Sequence, residues 1–269
     1  MKTSQLVKAL TTAKPSLGES STGIPVLAHF CFDDDMIYAY NDITAIIVDE
    51  KTGLSAALLG DTLLGLLEVC NDENINITLD NKASCANIKF SSGAAKVPIL
   101  PKSDFVFQFP DGEMTFTLPL TEDVVKAIDV CLLSVSTDSL KPEFSGITFD
   151  VSKTGTVLYS TDNITASRRT LEKKIGRKEV SVVIPLIACQ HIIKLFSVCG
   201  GDDAKLSIGN GFAVASYKGV TMVTKLLEAQ AEGFVKVFSE HTGNGKPFDI
   251  PDRFKVEMAK ASIVLGKDQ

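Results

Sequence analysis

Two rhythms of hydrophobic and polar positions run along this chain, and each of them occurs twice in the same order. Apolar Leu6, Leu10, Ala13 and Leu17 recur at helical spacing and predict a helix at the N-terminus. A two-residue alternation follows in Ala28–Phe32, Met36–Tyr40 and Thr44–Val48, with the polar turn Asp33-Asp34-Asp35 between the first two. A second helix is expected from Asp61 as N-cap, burying Leu63, Leu66, Leu67 and Cys70, and strands near Ile75–Leu79, Ala86–Phe90 and Ala95–Leu100 close the set. The second set opens with a helix capped by Thr121 and continues through strands at Ser145–Val151, Thr156–Ser160 and Ala166–Leu171. It ends with a helix after Pro185 and strands near Lys205–Ile208, Gly211–Tyr217 and Val220–Leu227.

The repetition reaches individual residues. Tyr40-Asn41-Asp42-Ile43-Thr44-Ala45 returns as Thr161-Asp162-Asn163-Ile164-Thr165-Ala166, and Leu6-Val7-Lys8-Ala9-Leu10 as Val124-Val125-Lys126-Ala127-Ile128. Val69-Cys70 is matched by Val198-Cys199. Two modules are therefore expected head to tail, residues 1–112 and 113–241, joined by the turn-rich Phe109–Glu113. Residues 242–269 read as the start of a third module or as a C-terminal helix near Phe254–Ala261. The fold class is α+β, antiparallel sheets with two helices per module on one side.

Composition narrows the setting. Of 269 residues 45% are hydrophobic and 22% charged, as in globular chains, and six cysteines lie in apolar stretches without CxxC or Cys/His ligand spacing. Buried free thiols in a reducing cytoplasm follow, with no metal expected. No apolar N-terminal segment has the form of a signal peptide, and no run reaches membrane-spanning length. A net charge of -6 argues against a uniformly basic nucleic-acid binder, yet leaves open an acidic exterior with one basic face.

Catalytic constellations are poorly supported. Three consecutive acids in a hairpin turn diverge, where magnesium needs carboxylates converging from separate elements. His29 and Cys31 share a strand face, but no acid orients the histidine. Gly243-Asn244-Gly245-Lys246 lacks the spacing of a phosphate-binding loop. No catalytic residue and no cofactor is assigned.

The ordered motifs resemble the DNA sliding clamps of the bacterial DNA polymerase III β-subunit type. The resemblance spans nearly the whole chain and is carried by several segments. These are Pro25-Val26-Leu27, Phe116-Thr117-Leu118-Pro119, Phe144-Ser145-Gly146-Ile147-Thr148-Phe149, Ser160-Thr161-Asp162-Asn163 and Ser181-Val182-Val183-Ile184-Pro185. Two departures stand out: Asn163 replaces the usual glycine, and Ala231-Glu232 replace a common Phe-Pro pair.

The resemblance implies a DNA-clamp fold with helices lining a ring, and a non-enzymatic processivity factor. Such a ring encircles double-stranded DNA without sequence preference and tethers a polymerase. It would close as a dimer of three-module chains or a trimer of two-module chains. DNA-facing candidates are Lys8 and Lys14 on the first helix, Lys126 on the third, Lys194 on the fourth, and Arg168 and Arg169 at a strand end. Each of these also has a plainer reading as a solvated charge. The family's docking pocket for short linear peptides of polymerases and clamp loaders would map here onto Phe144, Thr161, Asn163, Ile164, Thr165, Ala166 and Val237. A regulatory or structural binding module that shares the fold is the alternative function.

Overall fold

The structure is a computed structural model, and it describes residues 1–19, 23–105, 107–138, 141–152, 155–171, 179–228 and 249–264. The chain divides into two compact units, Met1–Ala231 and Glu232–Gln269.

The first unit contains two sets of elements, with strands at Ser55–Leu59, Phe116–Pro119 and Val180–Pro185 besides those expected from the alternation. The first set is α1 (Thr3–Ala13), β1 (His29–Asp33), β2 (Met36–Tyr40), β3 (Thr44–Asp49), β4 (Ser55–Leu59), α2 (Gly60–Glu68), β5 (Asn76–Asp80), β6 (Cys85–Phe90) and β7 (Gly93–Leu100). The second is β8 (Phe116–Pro119), α3 (Glu122–Leu132), β9 (Gly146–Ser152), β10 (Gly155–Thr161), β11 (Ala166–Leu171), β12 (Val180–Pro185), α4 (Leu186–Cys199), β13 (Lys205–Ile208), β14 (Phe212–Tyr217) and β15 (Val220–Lys225).

All named strand pairings are antiparallel, and corresponding strands pair alike. The order β4-β1-β2-β3 in the first set matches β12-β9-β10-β11 in the second. The hairpin β6-β7 closes at Phe90↔Gly93, and β14-β15 closes at Tyr217↔Val220. A short contact at Ala57↔Leu100 has its counterpart in the bridge Val183↔Leu227. Among the described residues the two sets are joined in the ladder where β15 lies on β3, with Val220 opposite Val48 and Thr224 opposite Thr44. This pairing makes one 11-stranded sheet across the expected boundary near residue 112, while β11-β10-β9-β12 form a separate sheet of four.

The helices pack on these sheets through their apolar stripes. Along α1, Leu6, Ala9, Leu10 and Ala13 are buried, and along α3 Val124, Ala127, Ile128 and Cys131 occupy the same places 118 residues later. The repeated stripe leaves Lys8 and Lys126 exposed at matching positions, because three- and four-residue spacing puts them opposite the core. α3 packs against α4 and β9–β11, α1 against α2 and β2–β3, and α4 against β9, β12, β14 and β15.

Three local expectations are corrected. Asp61 does not cap α2: the helix starts at Gly60 after Leu59, so Asp61 sits in the first turn, where its charge faces the helix dipole. α2 buries Leu63, Leu64 and Leu67, whereas Leu66 and Cys70 are only partly covered, since β4 enters the helix directly and rotates its apolar stripe. Lys14 lies beyond α1, in the 3-10 turn Lys14–Ser16. Thr121 does cap α3, its hydroxyl oxygen accepting from Val124 N at 3.5 Å.

In the second unit α5 (Phe254–Val264) carries an exposed Lys260–Glu257 pair at 2.9 Å, together with exposed Phe254, Val256 and Met258.

Candidate functional site

The two copies of the six-residue motif build the same turn. In the first, Asn41 Oδ1 accepts from Ile43 N at 3.1 Å and Thr44 N at 2.8 Å; in the second, Asp162 Oδ1 accepts from Ile164 N at 2.8 Å and Thr165 N at 2.6 Å. Both turns then require a left-handed residue, Asp42 at φ 75° and Asn163 at φ 78°. Asn and Asp tolerate that conformation best after glycine, which accounts for the residue types found at positions 42 and 163. These amide bonds hold the Asp162 carboxyl below its ordinary range, with Thr165 N the largest contributor and Ile164 N next.

Surroundings separate the two turns. Thr44 and Ala45 are fully buried because β15 covers β3. Thr165 and Ala166 are exposed and Ile164 is 92% exposed, since no described strand pairs with the outer edge of β11. Of the predicted peptide-site residues, Thr161 is buried and works inside the turn, donating to Thr165 O at 2.6 Å and accepting from Asn163 N at 3.0 Å. Phe144 is half-buried with Lys141 Nζ 6.0 Å above its ring. Val237 lies outside the described residues.

The basic candidates fall on two surfaces. Lys8, Lys126 and Lys194 are all exposed on the helix layer, and Lys14 is exposed at the end of α1. Among the described residues Lys126 makes one exposed ion pair, with Glu122 at 3.6 Å, a weak pairing that another anion can replace. Arg168 and Arg169 do not lie at a strand end: they sit in mid β11, so alternation sends them to opposite faces. Arg169 lines a cleft of about 490 Å³ with Lys126, Thr121 and Leu171 beside α3. Arg168 instead reaches Tyr159, its guanidinium 5.8 Å from the ring.

Two features escaped the sequence reading. First, Phe105, Phe107 and Phe109, after β7 and leading into the linker, form an aromatic strip. Phe105 meets Tyr38 edge-on at 5.1 Å, Phe107 lies 5.2 Å from Tyr40, and Phe109 lies 5.2 Å from Phe107. The alternation at 105, 107 and 109 was the available signal of an extended, face-bound segment. Second, His191 on α4 reaches β3 of the other set. Its Nδ1 is 3.3 Å from Thr44 Oγ1, which also meets Ser16 Oγ at 2.8 Å and donates to Asn41 Oδ1 at 3.2 Å. With the Thr44 proton committed to Asn41, its lone pairs accept from Ser16 and from a neutral His191 protonated at Nδ1. Burial, aided by Lys194, pulls the His191 imidazole down to about 4.

The candidate reactive groups are chemically quiet. Burial pushes the Cys31 thiol up to about 11, and His29 Nδ1 is 2.8 Å from Pro25 O rather than beside a nucleophile. Asp33 pairs with Lys102 and Asp35 with Lys51 at 3.8 Å, so the acidic turn spreads its charges. Among the described residues no group of three or more His, Cys, Asp and Glu side chains converges as a metal site. No helix among the described residues is long and apolar enough to cross a membrane.

Comparison with known proteins gives this geometry a context. Residues 119–231 match the family of the DNA polymerase III beta subunit, central domain. No curated protein matches the sequence at a significant level. Among solved structures, the DNA polymerase sliding clamp of Caulobacter crescentus is similar with a TM-score of 0.83 at 15% identity, covering 99% of this chain and 74% of that one. The Thermotoga maritima DNA polymerase III beta subunit gives 0.72 at 17% identity, covering 86% and 64%. A Helicobacter pylori beta clamp bound to a DNA ligase peptide gives 0.73 at 18% identity, covering 86% and 65%. The chain thus spans about two thirds to three quarters of the length of these structures. It has the DNA-clamp fold of the DNA polymerase III beta subunits, and its residues 119–231 match that family's central domain.

Proposed function

We propose that the protein is a non-enzymatic sliding clamp, a processivity factor that encircles duplex DNA in the cytoplasm and tethers a polymerase and other replication proteins. One observation carries this reading: duplicated modules, joined edge to edge by β15 on β3, expose the corresponding lysines Lys8 and Lys126, and Lys194 is exposed on α4, which packs against α3. Several weak, exposed cations suit a protein that must hold phosphates without stopping on them. Closure of the ring would use further modules of the same kind, supplied by other copies. Partners would dock by short apolar segments beside the Thr161–Ala166 turn, whose Ile164, Thr165 and Ala166 are exposed; the H. pylori clamp of similar fold is bound to a DNA ligase peptide. Arg169, facing the α3 cleft, belongs with the helix-layer cations, whereas Arg168 flanks the turn.

The test is retention on a closed circular duplex after loading. Replacing Lys8, Lys14, Lys126 and Lys194 together by glutamate should abolish retention while thermal unfolding stays unchanged. For the parent, about four phosphate contacts correspond to a slope of log K against log salt near −3.6. A quadruple variant that is retained and stimulates synthesis like the parent would sink the DNA reading and favour a binding module of another kind.

A further inference from the structure

The first copy of the repeated turn borders a cleft that neither the helix-layer cations nor the second turn accounts for. It lies within the first unit, where β3 meets β15 and the segment after β7 crosses the sheet, and its volume is about 400 Å³. Tyr40, Ile43, Phe107, Pro110, Phe212 and Val223 supply its apolar lining. The exposed side chains of Gln108 and Asn210 add amide groups. Ligand sites span roughly 300–1,000 Å³, so this one is sized for a few side chains.

Its aromatic walls are fixed before anything binds. The Phe107 ring lies 5.2 Å from that of Tyr40. The Phe212 ring sits so close to Gly209 that a Cβ there would overlap it, and a Cβ on Gly112 of the linker would come within 3.2 Å. The backbone at two glycines thus closes on this ring and holds it in place. Such walls need little ordering when a partner arrives. Ile43 is nevertheless 42% exposed, Phe109 beside Phe107 is 50% exposed, and Phe107 is half-buried, so apolar surface stays in contact with water around the cleft.

Among the described residues that line the cleft, Lys225 is the one charged side chain. Its ammonium lies 5.8 Å from the Tyr40 ring and 3.0 Å from Asp42 Oδ1, in a pair whose two members are both largely exposed. An exposed pair of this kind is weak, so an incoming carboxylate can take the place of Asp42. Asp42 then keeps the Tyr40 hydroxyl, which donates to its Oδ1 at 3.1 Å.

We propose that this cleft is a docking site for a short extended segment of a partner protein that carries aliphatic or aromatic anchors around a carboxylate. The anchors fill the space beside Phe107, Phe212 and Ile43, the carboxylate meets Lys225, and the amides of Gln108 and Asn210 serve the backbone of the segment. The site differs in kind from the second turn, where Thr161 stands in the place of Tyr40, so the tyrosine ring beneath a lysine belongs to the first copy. It rests on the clamp reading only for which proteins would bring such a segment; the cleft and its charge do not depend on DNA.

The experiment is fluorescence anisotropy with the full chain and a labelled, acetylated and amidated short peptide in which leucine and phenylalanine flank aspartate. It is run on the parent and on Thr165→Arg protein, in which the second turn is blocked. The peptide should bind Thr165→Arg protein, more weakly as salt is raised. In that background Lys225→Glu should weaken binding about tenfold, and the same peptide with lysine in place of aspartate should recover the loss. Ile43→Ser, at an exposed position outside the buried core, should weaken binding about fivefold with thermal unfolding unchanged. Binding that ignores both substitutions overturns the proposal, as does a lysine peptide that fails to recover. A peptide that binds the parent but not Thr165→Arg protein also overturns it, and leaves the second turn as the docking site. Thr165→Arg protein with the parent's affinity and number of sites keeps this cleft and removes the docking proposed at the second turn instead.

Discussion

His191 offers the sharpest test of how the two sets of elements hold together. It is 7% exposed, and its Nδ1 lies 3.3 Å from Thr44 Oγ1 across the internal junction. A proton added at Nε2 would place a cation in a buried site beside Lys194, which is why its folded pKa is about 4 against an ordinary 6.5. The sign follows directly. Below 6.5 the unfolded chain takes up a proton that the folded chain refuses, so stability is full above that pH and falls as pH drops toward 4. The whole span corresponds to about 3 kcal/mol, and about 2 kcal/mol of it should be lost between pH 7 and pH 5.

His191→Asn removes the titration and keeps a polar group near the Nδ1 position. The variant loses some packing at every pH, so absolute stability does not discriminate. Urea unfolding of both proteins at pH 7, 6 and 5 does: the gap between them should narrow by about 2 kcal/mol on acidification. The carboxyls of Asp42, Asp72 and Asp162 are held low, by Lys225, Ser91 and Thr165 respectively, so the stability they add is lost at more acid pH. His29, lowered by burial, titrates in both proteins alike and cancels in the difference. Parallel loss of stability in the two proteins would refute the buried neutral histidine.

Asn163→Gly should leave stability nearly unchanged, whereas Asn163→Val should cost about 1–2 kcal/mol by denaturant unfolding, since only the latter resents φ 78°. Gly146→Ala should cost about 3 kcal/mol, because a Cβ there would overlap the Ile184 carbonyl oxygen of the paired strand β12; a variant as stable as the parent would mean that β9 and β12 can separate freely. Thr165→Arg should weaken binding of an apolar clamp-binding peptide by about tenfold in calorimetry, by setting an unpaired charge in the docking surface. Equal affinities would move the peptide site away from the turn.

The repeat itself was legible from residues alone. Helical spacing at Leu6–Ala13 and Val124–Cys131 and the Asn41 and Asp162 turns are local devices, decided by side chains within a few residues of one another. The departure at Asn163 was legible as well, and the left-handed backbone supplies its reason. What each copy touches is not local. The same turn is buried at Thr44 and open at Thr165 only because β15, more than 170 residues farther along, pairs with β3 and not with β11. Adjacent Arg168 and Arg169 read as one basic run, yet strand alternation sends them to opposite faces, and that depends on β11 being a strand in mid-course. The His191–Thr44 contact joins residues 147 apart and has no trace in spacing. Periodicity along the chain determined the elements and their duplication, because those rest on short-range sterics and the burial of one stripe. Only tertiary pairing decided which edges were filled and which stayed open, because hydrogen-bond ladders between distant strands assign faces that no local pattern encodes.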